Sequence, residues 1–155
     1  MKTAEDAEDA ERAYGFCLDI NEISGSVVDA AMKVHTAPGP GLLESVYEKC
    51  LKHELAKRGL RAETQVWLPV IYDGVQIEGG YKIDLLVEGQ VVVELKVVEQ
   101  ILEMHKAQLL SYLKLSGKHL GLLINFNVGH LRDGIRRLVN HPPSSASLAC
   151  SAVMG

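Results

Sequence analysis

The sequence predicts one α/β domain in which helices flank a mixed central β-sheet. Three observations predict this class: apolar residues at helical spacing near the start, β-forming runs separated by turn dipeptides in the middle, and a late helix followed by an apolar strand. The chain has 155 residues, of which 47% are hydrophobic and 23% charged. A chain of this size and composition can bury a single core.

Two helices come first. The apolar residues of the first predicted helix recur at helical spacing after a candidate cap at Asn21, and they are Ile23, Val27, Ala30, Ala31 and Val34. The segment Ala37-Pro-Gly-Pro-Gly41 ends this helix, because proline and glycine disfavour its continuation. A second helix is predicted from about Leu42 to Arg58, with Gly59 as its stop signal.

Strands joined in hairpins are predicted next. Asp73-Gly74 is a strong hairpin signal, and Glu88-Gly89 marks a second turn. The flanking runs of β-forming residues are 63–72, 75–78, 81–87 and 91–97.

The last predicted elements are a helix over 99–116 that stops at Gly117, a buried strand at 119–125, and a short helix at 132–139. Hairpins pair strands antiparallel, whereas a helix that crosses over between two strands pairs them parallel. The sheet should therefore be mixed.

The acidity of the chain belongs to its first residues. The formal net charge is −4, which taken alone argues against a nucleic-acid partner. Residues 1–20 hold six acids and two bases, and the rest of the chain carries 14 charges of each sign. We therefore predict an acidic tail at 1–19, a folded domain at 20–140 and a disordered tail at 141–155.

Several classes of protein are excluded at this stage. No apolar run approaches the roughly 20 residues that span a bilayer. The start of the chain does not have the pattern of a signal peptide, and Cys17, Cys50 and Cys150 lack metal-binding spacing. We expect a cytoplasmic protein with no membrane partner and no structural zinc.

Charged residues interrupt two strands that otherwise read as buried. Glu94 and Lys96 lie on one face of a near-continuous valine run, and Asp84 interrupts the preceding strand. If Val87 pairs with Val91, Asp84 lies opposite Glu94, whereas a two-residue loop would put them on opposite faces. Two adjacent carboxylates need a cation or a proton between them. The alternative is an edge hairpin whose charges face water.

A third acid breaks the pattern of the second predicted helix. Glu44 falls within an apolar stripe formed by Leu43, Val46, Tyr47, Cys50, Leu51 and Leu55. Either it has a partner near the core, or it simply benefits from the helix dipole in the first turn. Aspartate and glutamate are hard oxygen ligands, so the cation would be Mg²⁺ or Mn²⁺. Lys96 could orient a water or offset charge on phosphorus.

Polar residues also form a stripe on the third predicted helix. His105, Gln108 and Tyr112 are spaced by three and four residues and so share one face. They are candidates for contact with substrate. The alternative is a boundary stripe that hydrogen-bonds to the sheet.

These segments resemble a known family of proteins. Asp84, followed ten positions later by Glu94-Leu95-Lys96, resembles the metal-binding core of the PD-(D/E)XK nuclease superfamily. Gly41-Leu-Leu-Glu44-Ser-Val-Tyr47 resembles the signature of the GxxExxY proteins within it. Two later blocks, 105–112 and 121–126, also look like that family's, and the resemblance covers about 20–139.

The resemblance implies a fold, a set of ligands and an activity. The fold would be the restriction-endonuclease-like α-β-β-β-α-β core. Glu44, Asp84, Glu94 and the Leu95 carbonyl would hold Mg²⁺ (or Mn²⁺), and Lys96 would position the attacking water. Gln108 would be the helix glutamine beside the site, while Tyr47, His105 and Tyr112 are candidates for substrate binding.

Three functions are then in competition. The first is a Mg²⁺-dependent endo- or exodeoxyribonuclease, a hydrolase of phosphodiester bonds whose partner is DNA and which could act as a homodimer on both strands. The second is a catalytically silent binding or assembly module with a nuclease fold. The third is a nuclease for RNA or a nucleotide, although we find no Rossmann motif, no P-loop and no aromatic-rich strand surface for base stacking.

Basic residues on two segments are candidates for binding a phosphate backbone. The first set lies on and just after the second predicted helix and comprises Lys49, Lys52, Lys57, Arg58 and Arg61. The second set lies on the last predicted helix and comprises Arg132, Arg136 and Arg137. The alternative is that both sets simply face solvent.

Overall fold

The computed structural model describes residues 18–140 of the chain. The predicted acidic tail, apart from its last two residues, and the predicted disordered tail at 141–155 lie outside the described residues. The elements in chain order are α1 (Ile20–Thr36), α2 (Glu44–Lys57), β1 (Ala62–Tyr72), β2 (Val75–Val87), β3 (Val91–Lys96), α3 (Glu103–Ser116), β4 (Leu120–Asn125), a 3₁₀ turn (Leu131–Gly134) and β5 (Ile135–Val139).

The five strands form one mixed sheet in the order β1-β2-β3-β4-β5. All neighbouring strands pair antiparallel except β3 and β4, which pair parallel across the α3 crossover. The fold class predicted from the sequence is thereby confirmed.

Helices cover both faces of the central strand β3. Val91, Val92 and Val93 are fully buried in succession, which an alternating strand achieves only when both of its faces are packed. Leu109 and Leu113 of α3 belong to the same core cluster as Val92, while α1 and α2 pack against each other and contact β3 from the other face. None of the helices in residues 18–140 is long and apolar enough to cross a membrane.

The predicted helix at 132–139 is wrong. Leu131 just before it and Ile135 and Leu138 within it have spacings of four and three that fit a helix. In the structure a single 3₁₀ turn leads into strand β5, which pairs with β4 from Ile135↔Ile124 to Val139↔Leu120. The pairing occupies the backbone edge of β4, which would otherwise be left without partners in the core.

The predicted runs 75–78 and 81–87 form one continuous strand rather than two. Gly79 and Gly80 connect them within β2, opposite a register shift in β1 between Leu68 and Val70. A side chain at Gly80 would collide with the backbone carbonyl oxygen of Leu68. The glycine therefore permits the close approach of the two strands at this irregularity.

Gly80→Ala should destabilise the domain by roughly 1–3 kcal/mol, because the added methyl group meets backbone rather than a movable side chain. Gly25→Ala is the matched control, since a side chain there meets nothing within 4 Å on the exposed side of α1. That change should stabilise the domain by about 0.5–1 kcal/mol through helix propensity. Urea denaturation of both variants measures the difference, and equal effects would contradict the proposed collision.

Candidate active site

The site lies where strands β2 and β3 separate. Their pairing runs Val87↔Val91, Leu86↔Val92 and Leu85↔Val93, which confirms the register expected from a three-residue turn. The next residues in that register are Asp84 and Glu94. The backbone pairing of β2 and β3 ends before these two residues, so both carboxylates lie just beyond the last paired residues.

Asp84 is nearly buried, with 9% of its surface exposed. Its Oδ2 accepts a hydrogen bond of 2.8 Å from the Leu95 backbone N–H, and its Oδ1 lies 3.5 Å from the Gln65 side-chain nitrogen. Burial raises the pKa of this carboxyl, and the Leu95 N–H and Lys96 partly oppose that shift. One Asp84 oxygen is therefore anchored to β3, while the other is weakly held.

Glu94 is the least satisfied polar group of the site. It is 5% exposed, and as a carboxylate it leaves Oε2 buried without a hydrogen-bond donor, whereas the protonated acid hydrogen-bonds to the Asp84 carboxylate. Its other oxygen is 4.0 Å from Lys96 Nζ. Burial, followed by the charge of Asp84, raises the pKa of Glu94 to about 8, while Lys96 opposes the shift. An orphaned buried carboxylate oxygen is rare in a native fold and calls for a ligand.

Two further acids approach from helix α2. Glu44 is its first residue and remains exposed, yet desolvation and then the charge of Asp84 raise its pKa. Glu48, one turn later, accepts a hydrogen bond of 2.8 Å from Gln65 Nε2, and desolvation raises its pKa as well. The helix thus adds negative charge beside the Asp84 and Glu94 pair.

Glu48 and Gln65 were missed by sequence reasoning. The signal for Glu48 was its position four residues after Glu44, which places both acids on one helix face. Gln65 gave no such signal, because its role depends on a backbone φ of 53° that interrupts the β1–β2 ladder beside Asp84. Left-handed backbone is uncommon for a non-glycine residue and often accompanies a functional site.

The residues at the strand ends fit a hard divalent cation. In residues 18–140 no group of three or more His, Cys, Asp and Glu side chains is placed to hold a metal ion, so Glu44 does not join Asp84 and Glu94 in such a group. The backbone can supply another ligand, since the N–H and C=O of one strand residue point to the same neighbour. The Leu95 N–H points to Asp84, so its carbonyl faces the same side. Two carboxylates, one with an orphaned oxygen, and a carbonyl form an all-oxygen donor set.

Two of the predicted residues on α3 lie beside the carboxylates. Gln108 Nε2 donates a hydrogen bond of 2.9 Å to the Tyr112 hydroxyl. Burial, followed by the charges of Glu94 and Asp84, raises the pKa of Tyr112 to about 12. The Tyr112 ring is 4% exposed and contacts the ring of Tyr81 at 5.4 Å. Gln108 and Tyr112 therefore border the site on the side of α3.

The other two candidates for substrate binding have structural contacts. His105 Nδ1 accepts a hydrogen bond of 2.9 Å from the Leu102 N–H and so caps the start of α3. Tyr47 is fully buried, its ring stacks on Phe126, and its hydroxyl donates to the Gly39 carbonyl. Tyr47 thus lies in the core and does not face the strand ends.

The basic candidates are divided between partners and solvent. Glu54 pairs with both Lys57 and Arg58, and Arg61 pairs with Glu63. The residues at 136 and 137 lie on β5 and not on a helix. Arg137 donates to the Asn21 side chain, and Arg136 donates to the backbone carbonyls at 133 and 135. Fewer free cations are therefore available to a phosphate backbone than the sequence suggested.

Comparison with known proteins gives a family. The profile of the PD-(D/E)XK nuclease superfamily matches residues 21–138, nearly all of the domain. A solved structure titled "Crystal structure of SSO0001" is 22% identical with a TM-score of 0.48, and the match covers 85% of this chain and 66% of that one. Curated protein sequences gave no significant match.

Proposed function

The chain belongs to the PD-(D/E)XK nuclease superfamily, and on that premise we propose that it is a metal-dependent nuclease that hydrolyses phosphodiester bonds in DNA. One observation supports this above the others. A buried carboxylate, Glu94, has an oxygen without a partner beside a second carboxylate, Asp84, and a lysine, Lys96. In a cluster with a purely structural role, this oxygen would have a hydrogen-bond partner, or an uncharged residue would stand in place of Glu94.

We propose that Asp84, Glu94 and the Leu95 carbonyl hold Mg²⁺ or Mn²⁺. Glu44 would add negative charge to this centre from the first turn of α2. When bound, such an ion supplies Lewis acidity at a phosphoryl oxygen and lowers the pKa of water. Gln65 would keep Asp84 and Glu48 in place through its side-chain amide.

Lys96 is the candidate for contact with the attacking water and the phosphate group. Its side chain is 19% exposed, so its ammonium group borders both the buried Glu94 and solvent. We propose that it orients the attacking water by donating a hydrogen bond and offsets charge that develops on the phosphate. Gln108, held by Tyr112, is proposed to donate to the substrate from the α3 side.

The narrower assignment to the GxxExxY proteins belongs to this proposal too, and the structure offers a reason for the motif. Gly41 has a φ of 109°, which favours glycine. Glu44 starts the helix, and Tyr47 ties the preceding loop to the core by accepting from the Leu42 N–H and donating to Gly39. The motif would thus place Glu44 beside the site and hold the loop that precedes α2 in position. Action as a homodimer on both strands also remains a prediction.

The test is cleavage of single-stranded, duplex and branched DNA in the presence of Mg²⁺ or Mn²⁺. Wild-type protein should cut at least one of these substrates, and chelation with EDTA should stop cleavage. Glu94→Ala and Lys96→Ala should each lower the rate by roughly 10²-fold or more, since each removes a group that acts on the transition state.

Glu78→Ala is the matched control, because Glu78 is an exposed acid on the same strand as Asp84. It should cleave at the wild-type rate. Equal cleavage by wild type and Glu94→Ala would refute the proposed site. Absence of metal binding at millimolar concentrations by calorimetry would favour the silent binding module instead.

A further inference from the structure

An exposed tryptophan lies on the hairpin next to the candidate site. Trp67 on β1 is 61% exposed, although tryptophan is usually largely buried. It pairs across the ladder with Lys82 of β2, whose Nζ lies 4.3 Å from the centre of the indole ring. A large aromatic surface and a cation are thus presented together at the protein surface.

The pair lies on the face of the sheet from which α2 approaches the site. Ile83, the chain neighbour of Lys82, packs in the core cluster on the α3 side, so Lys82 and its cross-strand partner Trp67 lie on the opposite face. Gln65, two residues before Trp67, contacts both Glu48 of α2 and Asp84. Two residues of strand span about 7 Å, so the aromatic surface adjoins the metal site.

The interior of the protein does not explain this exposure. Val66 and Leu68, the chain neighbours of Trp67, both pack on the core cluster, so the strand alternates and leaves the indole outside. Exposed aromatic rings with a neighbouring cation are the elements with which proteins bind single-stranded nucleic acid, since every base has a face that can stack. The lysine supplies charge complementarity to a phosphate.

We propose that Trp67 and Lys82 form a subsite for an unpaired nucleotide of the substrate, next to the phosphodiester bond that is cut. The indole stacks on the base, and the Lys82 ammonium contacts the adjoining phosphate. The inference rests on the proposed nuclease function and specifies its substrate as a strand with at least one unpaired base beside the site. The sequence did not predict a stacking surface, because a lone tryptophan among β-formers is typical of a buried strand.

A second copy of the chain is the competing occupant. The outer part of the same hairpin also exposes apolar side chains, namely Ile71, Tyr72, Val75 and Ile77. Only the Trp67 end of the hairpin combines an aromatic ring with a cation and adjoins the carboxylates, which is why we favour the nucleotide. Dimerisation through the hairpin is therefore an outcome of the test.

Trp67 is the sole tryptophan of the 155-residue chain, so its fluorescence reports on this position alone. Full-length protein in EDTA, where no cleavage should occur, is titrated with a short oligothymidylate and with a blunt duplex of equal length. The single strand should quench the fluorescence and the duplex should not. In a binding assay with labelled oligothymidylate, Trp67→Ala should weaken affinity roughly tenfold or more, and Trp67→Phe should retain most of it.

Tyr72→Ala is the control, because Tyr72 is an equally exposed aromatic residue five positions further along β1. It should bind oligothymidylate like the wild type. Lys82→Gln should bind more weakly, and its affinity should depend less on salt. Unchanged affinity in Trp67→Ala, equal losses in Trp67→Ala and Tyr72→Ala, or burial of the indole that rises with protein concentration without DNA would each overturn the subsite.

The same titration separates failure of the subsite from failure of the proposed function. Metal-dependent cleavage without quenching would remove the subsite and keep the nuclease. Quenching by the single strand without any cleavage by wild type would keep the subsite and remove the nuclease.

Discussion

Glu94→Gln should raise the free energy of unfolding of the metal-free protein while it abolishes DNA cleavage. The carboxylate is 5% exposed, one of its oxygens has no partner, and Asp84 adds a second negative charge beside it. Glutamine is close in size and carries no charge, so the fold no longer bears the cost of a buried carboxylate. The same change removes a metal ligand. A substitution that stabilises the fold and removes activity indicates a residue retained for function.

The size of the effect should depend on pH. In the folded state the pKa of Glu94 is raised to about 8 from a usual value of 4.5, so between these values the folded protein holds a proton that the unfolded chain has lost. Wild-type stability should therefore fall as pH rises from about 4.5 to 8. The variant lacks this group, so the gap between the two proteins should grow from near zero at the acid end to roughly 2–4 kcal/mol above pH 8.

Urea denaturation in EDTA across this pH range measures the gap. Glu78→Gln, an exposed acid on the same strand, should follow the wild type at every pH. Millimolar Mg²⁺ should stabilise the wild type and leave Glu94→Gln unaffected, because a ligand stabilises only the protein that binds it. A variant less stable than the wild type at pH 8.5 without metal would contradict the picture of an unsatisfied buried carboxylate.

Tyr47→Ala should destabilise the domain by about 3–5 kcal/mol, the range for removing a large buried aromatic ring. The Tyr47 ring is fully buried and stacks on Phe126 with ring centres 4.3 Å apart. Its hydroxyl also accepts from the Leu42 N–H at 3.2 Å and donates to the Gly39 carbonyl. Tyr47→Phe keeps the ring and leaves those two backbone groups without this partner, which should cost about 1–2 kcal/mol.

Thermal denaturation of both variants, with Tyr72→Ala as the exposed aromatic control, checks these values. The control should change stability by less than about 0.5 kcal/mol. Well below its melting temperature, Tyr47→Phe should cleave DNA with a KM close to that of the wild type, because the hydroxyl faces the loop and not the strand ends. A KM raised tenfold in a fully folded Tyr47→Phe would restore the direct role in substrate binding that the motif suggested.

The central pair of the candidate site was accessible to sequence reasoning for a physical reason. A strand register decides which residues lie opposite one another. A three-residue turn at Glu88-Gly89 places Asp84 opposite Glu94, whereas a two-residue turn would place them on opposite faces, and the structure has the three-residue turn. The sequence therefore predicted Asp84 beside Glu94 for one of two possible turn lengths. The burial of Glu94 also followed, since valines flank it on both sides.

Other parts of the site depended on contacts between elements. In the sequence, Glu48 looks like any acid on the surface of a helix, and its role comes from the hydrogen bond that Gln65 of β1 donates to it. Gln65 has left-handed backbone, which the sequence does not predict. Trp67 is exposed because its two chain neighbours, Val66 and Leu68, occupy the core positions of the strand. The motif marks Tyr47 as a candidate for substrate binding, which stays a prediction, and the structure adds that its ring is buried against Phe126.

Local periodicity and turn chemistry were thus enough to determine the α/β class and the mixed sheet, and they limited the arrangement of Asp84 and Glu94 to two alternatives, because each follows from spacings along the chain. The tertiary structure alone decided that 135–139 joins the sheet as an edge strand, that Glu94 keeps an oxygen without a partner, and which aromatic rings reach solvent. Each of these depends on which residues a segment distant in the chain buries or leaves exposed. Apolar residues whose spacing fits a helix can also form a strand when the edge of a neighbouring strand has unpaired backbone groups.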